Sequence, residues 1–362
     1  MSFLKNYQSR VKITVDFTKV GSDLANFPIY VNLANLPSDF HTKVNQTDGR
    51  DIRVTTSDGI TEVPREVVFY SSASDTGELH FKAKEGLSST VNTVFYIYYG
   101  DANASDYAVG ASNGRNNVWN NYKAVHHFGN GTTLSVTDSS GNNDATNSGG
   151  TATTGFNSIN GGVNLDGSSY LTSALTAGTV GSVFTISVWG KKTDVTTVEV
   201  PIAFDQNVND TGWILVNVTG TDWRWQKDEP SFPAIKSTTS RSNNTWYLYT
   251  ITTTGASAGN TKLYTNGSNQ DDGAAVPTPT STYTLTIGNQ RANTNPTNRE
   301  WTGVLDEVRI TSSALTSQWL STEYNNQNSP STFYTVGAAE FGSFLPLPNK
   351  LRPSIFAPGI AR

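Results

Sequence analysis

Asp138, Asn142 and Asp144 are grouped around Gly141 in a short polar stretch. Hard oxygen donors packed so closely in a turn suit Ca²⁺, which takes roughly 6–8 of them. Asp306 is a fourth candidate ligand. On a regular strand it falls on the side of Val304, Val308 and Ile310, and a carboxylate among apolar neighbours needs a cation or several donors. The same residues also fit an Asx-turn at Asp138, with Asp306 bonded to backbone amides. The residues alone leave both open.

Retaining glycosidases need two carboxyl groups about 5–5.5 Å apart. Asp306 and Glu307 are adjacent, so regular alternation sends them to opposite faces of a strand, while Asp228-Glu229 precedes Pro230 in a loop. The same alternation separates His126 from His127. No nucleophile elbow, His-Glu-x-x-His pair or phosphate loop with its Lys is read in the chain, and the expectation is a protein that is not an enzyme. Sugar binding asks instead for aromatic faces and planar polar groups. Trp213, Trp223, Trp225 and Trp301 supply the first, and Asn289 and Arg291 the second, together with Asn207, Asn209, Asp210, Gln290 and Asn293. Trp223 and Trp225 share one face of a short segment and are the first choice for an exposed platform. Each tryptophan competes with a core role, which is assigned here to Trp189 and Trp246.

The elements that must position these residues are strands. The chain has 362 residues, enough for two cores, with only 15% charged residues and 11% aromatic ones. Neutral polar residues and aromatics in that balance indicate an all-β, loop-rich protein. A net charge of −5 with scattered Lys and Arg argues against nucleic acid as partner. The absence of cysteine removes disulfides, thiolate zinc sites and a cysteine nucleophile. No apolar run approaches the ~20 residues of a membrane helix, and Met1 to Asp16 carries no signal-peptide core, so the expected product is soluble and made in the cytoplasm.

Val11, Ile13, Val15 and Phe17 alternate with polar residues, as do Leu79, Phe81 and Ala83 against His80, Lys82 and Lys84, and Thr93 to Tyr99 reads as an interior strand. With turns at Asp48-Gly49 and Asp58-Gly59, residues 1–108 form a small antiparallel domain. Residues 109–117 read as a linker. Residues 118–340 contain short strands at regular spacing, a hairpin turn at Asn266-Gly267 and one helix, Ser313 to Asn325, with Leu315, Trp319 and Leu320 on a stripe. Residues 341–362 mix prolines with apolar side chains, including Leu351, Arg352, Pro353, Phe356 and Pro358. That mixture predicts an extended arm docking on another subunit.

The N-terminal stretch carries Leu24-Ala25-Asn26-Phe27-Pro28-Ile29-Tyr30, Asp48-Gly49-Arg50-Asp51-Ile52-Arg53-Val54 and Tyr96-Ile97-Tyr98-Tyr99-Gly100. It resembles a β domain of unknown function that precedes lectin-like modules in bacterial surface and tailed-phage proteins. Ala124-Val125-His126-His127-Phe128, Val163-Asn164-Leu165-Asp166-Gly167, Phe184-Thr185-Ile186-Ser187-Val188-Trp189 and Gly303-Val304-Leu305-Asp306-Glu307-Val308-Arg309-Ile310 follow. They resemble, in order, the laminin-G-like, concanavalin A-like jelly roll. The closing segment resembles terminal arms of phage structural proteins. These resemblances imply calcium near Asp138 and Asp306. They also imply a phage virion protein displayed on the particle surface as a capsid decoration, head fibre or tail-associated part. Its partners would be other virion subunits and surface glycans, without membrane insertion, and it would be a homo-oligomer or assembly-bound. A bacterial carbohydrate-binding adhesin is the alternative, and a glycan hydrolase the third class.

Overall fold

A computed structural model describes residues 3–342 apart from 157–158, 160, 206–211, 219–221, 228–234, 256, 258, 273–281 and 291–298. Arg291 and the arm residues Leu351, Arg352, Pro353, Phe356 and Pro358 lie outside the described residues.

Period-two alternation places Val11, Ile13 and Val15 wholly in a core while Lys12 and Thr14 stay partly accessible. Their strand is β1 (Ser9–Val15), followed by β2 (Phe27–Asn32), β3 (Arg53–Thr56), β4 (Arg65–Ser71), β5 (Thr76–Ala83) and β6 (Thr93–Tyr99). β1, β6 and β3 are neighbours in one sheet, and β2, β5 and β4 form a second. Between the sheets lie Ile29, Val31, Leu79, Phe81, Val54 and Ile97.

The second domain comprises β7 (Ala124–His126), β8 (Ala145–Ser148), β9 (Thr151–Thr153), β10 (Gly162–Asp166), β11 (Tyr170–Thr176), β12 (Phe184–Lys192), β13 (Glu199–Phe204), β14 (Trp213–Asn217), β15 (Trp223–Lys227), β16 (Ile235–Lys236), β17 (Trp246–Thr253), β18 (Thr261–Thr265), β19 (Ser268–Asp272), β20 (Thr284–Ile287) and β21 (Thr302–Thr311). One sheet has the order β19-β18-β17-β12-β21-β10-β9, with β7 also paired to β21. The other runs β16-β15-β14-β13-β20-β11-β8. Phe184, Ile186, Val188, Leu305, Val308 and Ile310 from the first face Ile202, Phe204, Trp213, Trp225 and Leu285 from the second. Full burial of each large apolar side chain contributes about 1.5–3 kcal/mol. Asn266 and Gly267 both have positive φ, 53° and 72°, which closes the two-residue hairpin between β18 and β19.

The expected domain boundaries need correction. β22 (Tyr334–Phe341) leaves the jelly roll and pairs antiparallel with β1, from Ser9 opposite Phe341 to Val15 opposite Tyr334. The first sheet is therefore completed by residues that the sequence placed in the second domain. Residues 109–117 are not a free linker either. The Asn113 carbonyl accepts from the Arg65 amide, and Asn117 donates to the Ala111 carbonyl at 2.7 Å. The helix Arg115–Val118 then packs on β4.

The principal helix spans Ser317–Asn328, starting later than expected because Thr316 is its cap and accepts from the Trp319 amide. It packs on the first domain. Trp319 meets Phe27 with ring centroids 5.1 Å apart, and the Asn326 amide clamps the backbone of Tyr30, accepting from its N–H at 2.7 Å and donating to its carbonyl at 2.9 Å. β2 is an edge strand, so Asn326 supplies the pairing that a neighbouring strand would otherwise give. Asn326→Leu should orphan both Tyr30 groups and lower stability by roughly 2–6 kcal/mol, measured by urea denaturation.

Candidate functional site

The turn proposed for calcium satisfies itself. Asp138 is wholly buried. One carboxylate oxygen accepts from the Val125 and Ser140 amides at 2.8 and 2.9 Å. The other accepts from the Ser140 hydroxyl at 2.7 Å and the Asn142 and Asn143 amides at 3.3 and 2.9 Å. Asp144 accepts from the Asp138 amide at 2.7 Å. Asp306 is spent elsewhere, accepting from the Phe156 amide at 2.9 Å and the Glu307 amide at 2.7 Å. Gly155 permits that approach, since a Cβ there would lie 2.1 Å from Asp306 Oδ2. Asp138, Asn142, Asp144 and Asp306 thus adopt the second of the two arrangements, an Asx-turn and a carboxyl held by backbone amides, and their geometry lends the calcium expectation no support.

The tryptophan platform is also corrected. Trp213, Trp223, Trp225 and Trp301 are all at most 2% exposed and belong to the sandwich core. Trp223 and Trp225 do share a face, but that face points inward, where Trp225 lies 5.8 Å from Trp213 and Trp223 donates to Thr265 at 2.8 Å. None of the four offers a ring to a sugar. The polar members fare differently. Asn289 is buried, and its side-chain oxygen accepts from the Gln290 amide at 2.6 Å. Gln290 donates to Asp205 at 3.1 Å and accepts from Arg299 at 2.5 Å. In sequence Asp205 immediately precedes residues 206–211, while Gln290 and Arg299 bracket residues 291–298. This network therefore holds the roots of both segments together.

The densest chemistry lies where the two domains meet. β5 turns Glu78 and His80 toward the jelly roll, with His80 Nε2 2.8 Å from Glu78 Oε1. The end of β7 brings His127, whose ring stacks on His80 at 4.7 Å and whose Nδ1 bonds Glu307. Glu307 reaches this face through a β-bulge. Ser187 opposes Arg309 and Trp189 opposes Asp306, so Glu307 and Val308 share one partner, and Glu307 takes a φ of +51°. Leu305 and Val308 stay in the core while Asp306 and Glu307 are both turned out of it, which overturns the expectation of opposite faces. Arg309 pairs Glu307 on one side and Glu323 of the helix on the other, the latter at 2.8 Å. Glu66 accepts from Trp119 at 2.5 Å and from Ser139 at 2.6 Å.

All these groups are buried, and neighbours decide their charge. Burial opposes the His127 charge, but Glu307 and Glu66 outweigh it and hold its pKa well above the ordinary value. For Glu307, burial pushes up, but His127 and Arg309 pull its pKa below the carboxylate range. Burial drives Glu78 and Asp306 well upward, with Glu307 adding to both, and drives His80 well downward, with His127 adding. Sequence reading missed this cluster because the polar face of β5 looks like a solvated one. The available signal was Glu78-Leu79-His80, two ligand types on one face of a strand.

Residues 165–321, from β10 into the main helix, match the family model of the concanavalin A-like lectin/glucanases superfamily. The second domain is accordingly a concanavalin A-like jelly roll, a class of binding and catalytic modules defined by its fold. The chain is similar to domain 4 of an extracellular GH43 arabinanase from Geobacillus stearothermophilus, solved with arabinotriose, at 18% identity and a TM-score of 0.45 over 56% of this chain and 97% of that one. It is also similar to the binding domain of Paraclostridial Mosquitocidal Protein 1, at 16% identity and a TM-score of 0.43 over 57% and 52%. For the receptor binding domain of botulinum neurotoxin C/D mosaic serotype the values are 17% and 0.44 over 57% and 52%. The chain spans about half the length of these two toxin domains. No curated protein matches the sequence.

Replacing Arg309 by Met should leave Glu307 and Glu323 buried beside an apolar side chain. Breaking such a pair costs about 3–5 kcal/mol. Equilibrium unfolding of Arg309→Met is expected to show a loss of that size.

Proposed function

We propose that this protein is a non-enzymatic, glycan-binding structural protein displayed on the surface of a phage particle. The observation that carries the glycan-binding part is the Asp205–Gln290–Arg299 network within a lectin/glucanase-type jelly roll. It roots two segments that carry Asn207, Asn209, Asp210, Arg291 and Asn293. Amide and guanidinium groups offer paired donors and acceptors that match adjacent sugar hydroxyls. A site of this kind binds weakly alone and gains strength when many copies are displayed together.

The non-enzymatic part is supported by the position of Asp306 and Glu307. Both are fully buried at the domain junction, with Asp306 held by backbone amides and Glu307 by His127 and Arg309, so neither faces an open groove. The virion part rests on the resemblance and composition of the closing segment. Pro346, Pro348, Pro353 and Pro358 keep such a chain from forming helix, while Leu351, Ile355, Phe356 and Ile360 give it apolar surface to bury against a neighbouring subunit. The partners in this reading are other virion subunits, including copies of the same chain, and cell-surface or environmental glycans.

Screening the full chain on a glycan array should return a defined set of sugars, and the double variant Asn209→Ala/Arg291→Ala should weaken binding at least about tenfold, the value of one lost 1.4 kcal/mol contact. An array without signal would reject the glycan part. A chain lacking residues 343–362 should melt as the full chain does but fail to enter particles. Normal incorporation would reject the arm.

A further inference from the structure

We propose that Glu78, His80, His127 and Glu307 form a site for one divalent transition-metal ion of the zinc type, which fastens the first domain to the jelly roll. One ligand atom from each of the four lies within 4.8 Å of all the others, and every one of these residues is buried. Glu78 Oε1 is 2.8 Å from His80 Nε2 and 3.4 Å from His127 Nδ1, and Glu307 Oε1 closes the set against the same His127 nitrogen. A tetrahedral ion with bonds of ~2.0–2.1 Å keeps its ligand atoms about 3.3 Å apart. The Glu78–His80 and Glu78–His127 separations already lie near that spacing, and ligation would replace the His127–Glu307 hydrogen bond by two bonds to the ion.

The donor set selects the class of ion. Two imidazole nitrogens with two carboxylate oxygens suit Zn²⁺ or Co²⁺, whereas Ca²⁺ and Mg²⁺ prefer oxygen throughout. Two further observations point to a cation here. The carboxyl groups of Glu66, Glu78, Asp306, Glu307 and Glu323 are all buried, and once His127 ligates as a neutral imidazole Arg309 is the cation left among them, a shortfall that a divalent ion offsets. Outer partners are in place as well: Arg309 occupies Glu307 Oε2, leaving Oε1 for the ion, and Trp119 and Ser139 fix Glu66, whose Oε2 lies 3.4 Å from His127 Nε2.

A cleft of about 200 Å³ between the domains counts Arg65, Glu66, Tyr107, Arg115, Ser139 and His127 among its lining residues, so one of the four ligands borders it. The left-handed backbone of Glu307 belongs to the same design. A glutamate at a φ of +51° is held there by its surroundings, and conformations of this kind gather at sites where one side chain must be aimed.

The test uses the full chain without affinity-tag histidines. Elemental analysis after purification from zinc-containing medium should give one zinc per chain. Titrating metal-free protein with Co²⁺ should develop the visible d–d bands of a four-coordinate nitrogen–oxygen site, saturating at one equivalent. Removing the metal with a chelator should lower the Tm, and Zn²⁺ should restore it. Glu78→Gln, close to isosteric, should weaken Co²⁺ binding at least about 100-fold. Sub-stoichiometric zinc, no Co²⁺ spectrum and a Tm indifferent to chelator in the unaltered chain would overturn the site and leave a pure ion-pair network. Because those three readouts need no variant, the proposal remains falsifiable if Glu78→Gln fails to fold.

Discussion

The contact between Glu307 and the cations His127 and Arg309 organises the molecule. It lies where β21 of the jelly roll, β5 of the first domain and the long helix meet, and removing any member takes a partner from a buried charge. Buried ion pairs contribute little net stability compared with apolar packing, but they penalise every arrangement in which the partners miss one another. Here that penalty fixes how two sandwiches sit together, because Glu78 and His80 come from one, His127, Glu307 and Arg309 from the other, and Glu323 from the helix between them. The β-bulge makes it possible. Without the extra residue opposite Val188, Glu307 would point into the jelly-roll core, a place no carboxylate could occupy unpaired.

Around that junction the surfaces are matched in kind. Apolar contacts flank the ionic centre: Tyr30, Phe156, Trp189 and Leu248 on one side, and Val118, Trp119, Tyr122 and Val125 on the other. Phe156 stacks on Trp189 with ring centroids 3.6 Å apart, and the Trp189 indole donates to Gln327 of the helix at 2.6 Å. The face of β12 that carries Trp189 is thus covered by protein, as the sequence expected of a core tryptophan, though the cover is the helix and an interdomain cluster instead of the opposing sheet.

Much of the architecture was legible in the amino acids. Alternation marked β1 and β5, Asn266-Gly267 marked a hairpin, and the ordered motifs marked the jelly roll. Three features escaped for physical reasons. Alternation reports that two faces of a strand differ but not what each face meets, so Trp223 and Trp225 could be read as outward when they point into the core, and the His80 face of β5 as solvated when another domain covers it. A bulge breaks the count of two, so the directions of Asp306 and Glu307 could not be read by parity. The pairing of β22 with β1 joins residues more than three hundred positions apart, and local pattern holds no record of a partner that distant. For Asp138, the residue types fitted two arrangements equally, and only the positions of the surrounding backbone N–H groups decided between them.

That distant pairing has a further consequence. Because β22 supplies one edge of the first domain's sheet, this domain is built from both flanks of the jelly roll, and its final strand leaves the ribosome only after the entire jelly roll has been made. Domains fold as units during synthesis, so the jelly roll can complete its own sandwich while the earlier-born domain still waits with an open edge at β1. Once β22 docks, the jelly roll is secured by two crossings of the chain. Swinging about a single hinge is then closed to it, and a load applied to its far end passes into the first domain through β6 and β22, the two strands that flank β1.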